Sequence, residues 1–401
     1  MKKIGSIKDT FQTNSAVRFF LLSILISGLS YGLYTGMLDN YLAEIVGIGE
    51  MERGVTEFFR ELPGVFLIFI LAVFYMLSAE ALYKIGAIIM LVGMAMVAAL
   101  PPVKVLVILA ICVYSVGEHI QLGMRSSMTL QYARPGKAGE AQGLQNAISQ
   151  IGTLGGFLVI VAAFSLIAKD QPYQLFLIMA AVLAAISAFF TLKINSKTQT
   201  DSTKRRFYFH KKYFKYYMLE LFYGARKQVF MTFGPYVLIL HYGASAATIS
   251  LLFAISAIVS FFAAPLAGKL IDRVGYKKIM VLDTLILVLV CVCYGFAHHV
   301  LPMSVAFIVC CVNYMLDAVI SLASMATNVY VKDLSDNQNE LKATISTGVS
   351  INHVISIFIA LFGGWIWQAL GIEILFIISA VLGLCNSAYA ATIKVKKPLT
   401  K

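Results

Sequence analysis

Charge is what this chain has least of. Only 13% of its 401 residues are Asp, Glu, Lys or Arg, about half the share of a soluble protein, while 59% are hydrophobic. A water-soluble fold of that composition could not cover its surface with polar atoms, so lipid must solvate much of it. Cysteine is scarce too. The six, Cys112, Cys291, Cys293, Cys310, Cys311 and Cys385, all fall inside apolar runs, which excludes a disulfide framework and a zinc site and leaves them as packing residues. Phosphate-cradling glycine loops, clusters at metal-ligand spacing and nucleophile motifs are missing as well. The sequence therefore points to neither an enzyme nor an ATP-driven machine, and to no metal or cofactor; work would have to come from an ion gradient, with protons the expected ion.

What is present is a series of long apolar runs. A spanning helix needs about 20 mainly apolar residues, and twelve such stretches nearly exhaust the chain: 18–43, 54–77, 86–100, 103–130, 140–168 and 173–192, then 213–240, 246–270, 278–296, 303–331, 343–369 and 372–393. The first is too long for the apolar core of a signal peptide, and no small-residue cleavage site follows it. The expected fold is an all-α integral membrane protein of about twelve transmembrane helices in two pseudo-symmetric six-helix bundles, residues 1–192 and 213–401, joined by a basic cytoplasmic linker, 193–212.

The net charge of +12 invites a nucleic-acid reading, but its distribution argues against one. With both termini in the cytoplasm, only Arg53, Lys104 and Lys169 lie outside, and Arg60, Arg125, Arg226 and Lys227 lie within spans. The other basic residues face the cytoplasm, as the positive-inside rule requires. The densest run, between Lys193 and Lys215 with Lys204, Arg205, Arg206, Lys211 and Lys212, reads as topogenic and lipid-contacting charge. Expected partners are membrane lipids and a small-molecule substrate, with no nucleic acid and a monomer as the working unit, in a bacterial cytoplasmic membrane.

The halves echo each other. SSMTLQYARPGKAGEAQGLQNAIS (126–149) and SMATNVYVKDLSDNQNELKATIS (324–346) both pass from small hydroxyl residues through an aromatic and a charged loop into a polar helix start. Spans three and six are almost wholly apolar, and nine and twelve nearly so. Spans one, four, seven and ten carry polar groups at depth. Such groups are costly in hydrocarbon, so one set of every third helix should line a cavity while another faces lipid.

Between spans eight and nine stands GKLIDRVGYKKIM (268–280). Its Gly268, Leu270, Asp272, Arg273, Gly275, Lys277 and Lys278 resemble the signature loop of the major facilitator superfamily, in the place where that family carries its second copy. The first copy, SAEALYKIG (78–86), keeps only Lys84 and Gly86, and GTLGG (152–156) lacks the proline of the family's antiporter signature. The resemblance implies two bundles rocking about a central site and names no substrate. Physically, Gly268 and Gly275 permit close approach or unusual backbone angles, Asp272 suits a neighbouring helix N-terminus, and Arg273 could pair with Glu140. The set reads as a cytoplasmic latch or, more plainly, as a tight turn with topogenic charge.

The buried polar groups suggest chemistry. Tyr114, Glu118, Gln121 and Arg125 share one face of span four, and Asn313, Asp317, Ser321, Ser324 and Asn328 repeat the pattern in span ten. Glu118 and Asp317 thus stand at matching midspan depth, either as proton-coupling carboxylates or as halves of structural pairs. In span seven, Glu220, Tyr223 and Lys227 share a face and Arg226 is turned aside. With Tyr31 and Tyr34 of span one and Tyr314 of span ten they propose a cavity with a cationic point and an aromatic rim, suited to an organic anion or zwitterion. The alternative is that Arg226 or Lys227 neutralises Glu118, Asp317 or Asp39. Glu57, Arg60 and Glu61, spaced to meet on one helical face, form an outer charge cluster, read as structural pairing or a gate. Pro63 follows as a potential kink. His298 and His299 read as solvated loop residues. The function expected is a secondary active transporter of a small organic solute working by alternating access, proton-coupled; the alternatives are a multidrug-type exporter or facilitator, or a lipid or lysolipid flippase.

Overall fold

The structure is a computed structural model that describes residues 7–73, 77–166, 172–195 and 209–393. Lys169 and most of the basic run, Lys204, Arg205 and Arg206 included, lie outside the described residues. Backbone surrounded by lipid must satisfy its own hydrogen bonds, and apolar runs of this length do so as helices. Twelve long ones form: α1 (Ser15–Asn40, extended by a π-helical turn, Tyr41–Ile45), α2 (Glu50–Val73), α3 (Ala79–Ala99), α4 (Lys104–Tyr132), α5 (Ala138–Leu166), α6 (Tyr173–Leu192), α7 (Phe214–Leu240), α8 (Ala246–Val274), α9 (Tyr276–Val300), α10 (Met303–Ile320, continued through Ser321–Ser324 to Met325–Leu334), α11 (Gln338–Leu370) and α12 (Ile372–Ala391). Among the described residues ten of these helices are long and apolar enough to cross a membrane; the other two, α2 and α7, are loaded with ionisable side chains.

Two departures from the expected spans have local causes. Helix α3 begins at Ala79 rather than 86, because Ser78 Oγ accepts from Ala81 N and Glu80 pairs with Lys84 one turn on, at 2.7 Å. Helix α10 tightens to a 3-10 turn at Ser321–Ser324. There the Ser321 carbonyl is taken by Ser324 Oγ (2.8 Å) and by the Tyr223 hydroxyl (3.0 Å), which competes with the regular α ladder.

The chain divides into two compact units. The first holds Met1–Gly47, Leu62–Arg205 and Ser245–Ala254; the second holds Ile48–Glu61, Arg206–Ala244 and Ile255–Lys401. Chain order and unit membership therefore part company in two helices: the opening turns of α2 count with the second unit and those of α8 with the first.

In the first unit α1 is central. Ser30 Oγ donates to Ala180 O (2.7 Å) and Ser187 Oγ to Ser23 O (2.9 Å), joining α1 to α6. Against α5 it crosses backbone on backbone: a Cβ at Gly156 would lie 2.5 Å from Leu33 N and 2.6 Å from Leu29 O. The opening of α8 is fastened by Ser250 Oγ donating to Phe157 O at 3.0 Å. In the second unit α7 packs on α11 and α12, and α9 on α12, where Thr284 Oγ1 and Ser387 Oγ donate to Gly383 O (3.2 Å) and Val281 O (2.8 Å).

The α1–α5 crossing has no room for a side chain. Gly156→Leu should destabilise the protein by about 3 kcal/mol or more, beyond ordinary overpacking because the obstructing atoms are backbone; a thermal melt of the purified variant in detergent, set beside Gly139→Leu at an open position, measures it.

Candidate functional site

In the second unit the arrangement is built on α7. Its two adjacent cations, Arg226 and Lys227, point to different surroundings, as residues about 100° apart on a helix must. Arg226 is among the largest fully buried side chains, 1% exposed. Its Nη2 donates to Asp283 Oδ2 of α9 at 3.0 Å, and its guanidinium lies over the Tyr223 ring, 4.9 Å from the centroid. A buried guanidinium survives only if neutralised, and Asp283 does this, rather than the expected Glu118, Asp317 or Asp39. Asp283 is the residue that the sequence reading of span nine as nearly apolar passes over. Its signal was a lone carboxylate in IMVLDTLILVLV.

Lys227 is different. It is half-buried, and among the described residues it makes no hydrogen bond and no ion pair within 4.0 Å. Its electrostatic neighbours are Glu220 on α7 and Asp317 on α10. Glu220 is buried and accepts from Thr327 Oγ1 at 2.9 Å. Asp317 is buried, 8% exposed, and lies within electrostatic reach of Arg226 and Lys227, its carboxylate also without a hydrogen bond or close ion pair among the described residues. Three carboxyls, Glu220, Asp283 and Asp317, thus share one neighbourhood with two cations. Tyr223, expected on the cavity rim, is buried, with its hydroxyl bonded to the Ser321 carbonyl. Tyr314 is half-buried and packs against Gly234 of α7.

The outer charge cluster is held in the same unit. Glu57, 1% exposed, accepts from Arg53 Nη1 (3.0 Å), from Arg60 Nε and Nη2 (2.9 and 2.6 Å) and from Gln228 Nε2 of α7 (2.9 Å). Arg60 Nη2 also reaches Glu61 Oε1 at 2.7 Å, and Glu61 Oε2 meets His353 Nδ1 of α11 at 3.0 Å. Arg53 lies over the Tyr236 ring, and the Tyr236 hydroxyl donates to Ile48 O at 2.7 Å. The pairing expected from helical spacing is present, and Gln228 and His353 extend it to two further helices.

In the first unit, Tyr34 and Tyr114 rings pack at 4.9 Å, and Tyr114 lies within electrostatic reach of Glu118, Tyr31 and Arg125. Tyr31 and Glu118 are half-buried. Arg125 Nη1 reaches Ser149 Oγ of α5 at 3.4 Å. The expected tyrosine and carboxylate residues of α1 and α4 are thus brought together. His119 turns its Nδ1 back to Ser115, at 3.0 Å from Oγ and 2.9 Å from O.

The signature loop proves to be a helix-to-helix turn. Gly275 takes φ +89°, a left-handed conformation that favours glycine, between the last residue of α8 and the first of α9. Gly268 has open space where a Cβ would stand. With Asp272 it borders a groove of about 330 Å³ lined also by Asn328 and Lys332 of α10. Asp272 and Arg273 are exposed. Glu140 accepts from Lys137 Nζ at 2.6 Å and Thr10 Oγ1 at 3.1 Å, both within its own unit. His298 and His299 are helical rather than loop residues, since α9 runs on to Val300; both meet Glu373 of α12, with His298 half-buried and His299 exposed as expected.

The Major Facilitator Superfamily model matches residues 216–401. No curated protein matches the chain. Among solved structures, the nucleoside transporter NupG superposes with a TM-score of 0.71 at 18% identity, over 96% of this chain and 100% of that one. A bacterial homologue of the human lysosomal transporter Spinster, inward-facing and unoccupied, gives 0.69 at 12% identity over 95% and 97%. A bacterial homologue of the iron transporter ferroportin, also inward-facing, gives 0.70 at 12% over 93% and 98%. At such identities the likeness speaks for the fold. The family match covers the C-terminal half and includes the signature turn, while the likeness over nearly the whole chain shows that it has the fold of these transporters.

Proposed function

We propose that this secondary transporter carries a small organic solute with an anionic or zwitterionic group, by alternating access coupled to protons, with Lys227 as the cationic contact and Asp317 as the proton acceptor. The observation that carries the reading is the contrast between two neighbouring cations. Arg226 is sealed and neutralised by Asp283; Lys227 is half-buried with only diffuse electrostatic partners. A charge kept at midspan without a fixed partner costs several kcal/mol and is explained if the partner comes and goes.

The coupling logic follows from the charge count. While Asp317 is ionised, its attraction competes for the Lys227 ammonium. A proton on Asp317 removes that competition and frees Lys227 for the substrate's anionic group. Substrate and proton therefore load together. Glu118, beside Tyr31, Tyr34 and Tyr114 on α1 and α4, is the matching carboxylate of the first unit, and those rings suit a flat or ring-bearing solute. Nucleosides head the substrate panel because the nucleoside transporter shares this fold. Gly268, Asp272, Arg273, Gly275 and Glu140 serve as the cytoplasmic latch, and Glu57, Arg60 and Glu61 as an outer gate. The working form is a monomer in the cytoplasmic membrane with both termini inside.

In proteoliposomes with an imposed pH gradient, a panel of nucleosides, zwitterions and organic anions should yield a substrate taken up with protons. Asp317→Asn should abolish pH-driven accumulation while leaving substrate counterflow. Full coupling in both Asp317→Asn and Glu118→Gln removes both carboxyls from the mechanism. Lys227→Gln should weaken substrate binding tenfold or more, as expected for losing a charge-assisted hydrogen bond of about 1.5–3 kcal/mol; titration with the substrate found in the panel measures it. Glu57→Ala leaves the Arg53 and Arg60 cations short of their shared acceptor and should cost about 3–5 kcal/mol. Glu61→Ala should cost less, since Arg60 keeps Glu57; thermal melts in detergent rank the two.

A further inference from the structure

At the end of the second unit away from the lysine- and arginine-rich loops, α7 and α9 finish and α12 begins. Four side chains from these three helix ends converge: His241 just after α7, His298 and His299 in the last turn of α9, and Glu373 in the first turn of α12. Glu373 Oε1 lies 2.6 Å from His299 Nε2 and 3.4 Å from His298 Nε2. One ligand atom from each of the three falls within 4.8 Å of the others. The His241 ring meets the His298 ring edge-on at 4.5 Å. Gly371, at φ +92°, leaves room for the carboxylate, since a Cβ there would stand 2.6 Å from Glu373 Oε2.

An ion pair between His299 and Glu373 accounts for part of this. It does not account for the other nitrogens: His241 Nε2 and His298 Nδ1 are buried and, among the described residues, have no hydrogen-bond partner. The His298 ring touches both others, His241 at 4.5 Å and His299 at 4.0 Å, beside a single carboxylate, a poor arrangement for hydrogen bonding alone because the unused nitrogens of His241 and His298 are taken out of water.

We propose that His298, His299 and Glu373 bind a divalent transition-metal ion of the zinc class, with His241 at hand as a fourth ligand. Imidazole nitrogen with one carboxylate is the donor set such ions prefer, whereas Mg²⁺ and Ca²⁺ select oxygen. Bonds of about 2.0–2.1 Å at tetrahedral angles put neighbouring ligand atoms about 3.3 Å apart. The Glu373–His298 separation already matches, and His299 has to draw back by about 0.7 Å to admit the ion. The bound ion would tie the ends of α9 and α12 together, independently of any transport role for Lys227 and Asp317.

The test uses the full chain purified without a histidine tag, stripped with chelator, and exposed to Zn²⁺ or Mg²⁺. Metal content after desalting should reach one zinc per chain, and Zn²⁺, not Mg²⁺, should raise the melting temperature. Glu373→Gln and His299→Ala should each weaken zinc binding tenfold or more. Co²⁺ gives a readout that needs no variant, a visible absorption band of tetrahedral nitrogen–oxygen coordination. Absence of saturable zinc uptake, uptake unchanged in both variants, or absence of the cobalt band overturns the proposal.

Discussion

Neutralisation of charge away from water governs how the second unit is put together. Arg226 stands in the middle of α7 with its guanidinium out of solvent, and a single ion pair to Asp283 makes that position tolerable. The pair fixes α9 beside α7, and the Tyr223 ring lies under the guanidinium, 4.9 Å from centroid to its carbon. Tyr223 in turn bonds the Ser321 carbonyl, where α10 tightens. One electrostatic requirement thereby sets the placement of three helices. It also leaves Lys227, one residue on and about 100° around, half-buried in different surroundings beside Glu220 and Asp317.

The first unit answers to a different constraint. At the α1–α5 crossing glycines bring backbone against backbone, and hydroxyls of α1 and α6 bond to backbone carbonyls where those two helices meet. Without a hydrophobic force between helices in lipid, close backbone approach and such hydrogen bonds supply the attraction. The second unit uses the same means, with Thr284 and Ser387 bonding backbone carbonyls between α9 and α12, and adds the buried ion pairs of Arg226 and Glu57.

Much of this was legible in the sequence because helical periodicity is a local property. Twelve apolar runs gave the helices, and the spacing of Glu220, Tyr223 and Lys227 against Arg226 already separated the two cations into different surroundings. The i, i+3 and i, i+4 spacing of Glu57, Arg60 and Glu61 gave their mutual pairing. What periodicity cannot carry is the partner on another helix. Gln228 and His353 reach the α2 cluster from far along the chain. Asp283 stood alone in an apolar run, where a single carboxylate hardly alters the average hydrophobicity. His298 and His299 looked like loop residues because two polar side chains suggested that the helix had ended, whereas Glu373, across the unit, gives them a reason to stay helical.

The Arg226–Asp283 pair also bears on how the polypeptide enters the bilayer. Helix α7 carries two midspan cations and is not among the helices apolar enough to cross on their own. Its neutralising carboxylate lies on a helix made two segments later. Until α9 has been made, α7 alone would carry its guanidinium into hydrocarbon without the carboxylate that neutralises it. Membrane integration of this half is thus coupled to its folding, and severing the chain between α7 and α9 would strand the earlier helix outside the hydrocarbon.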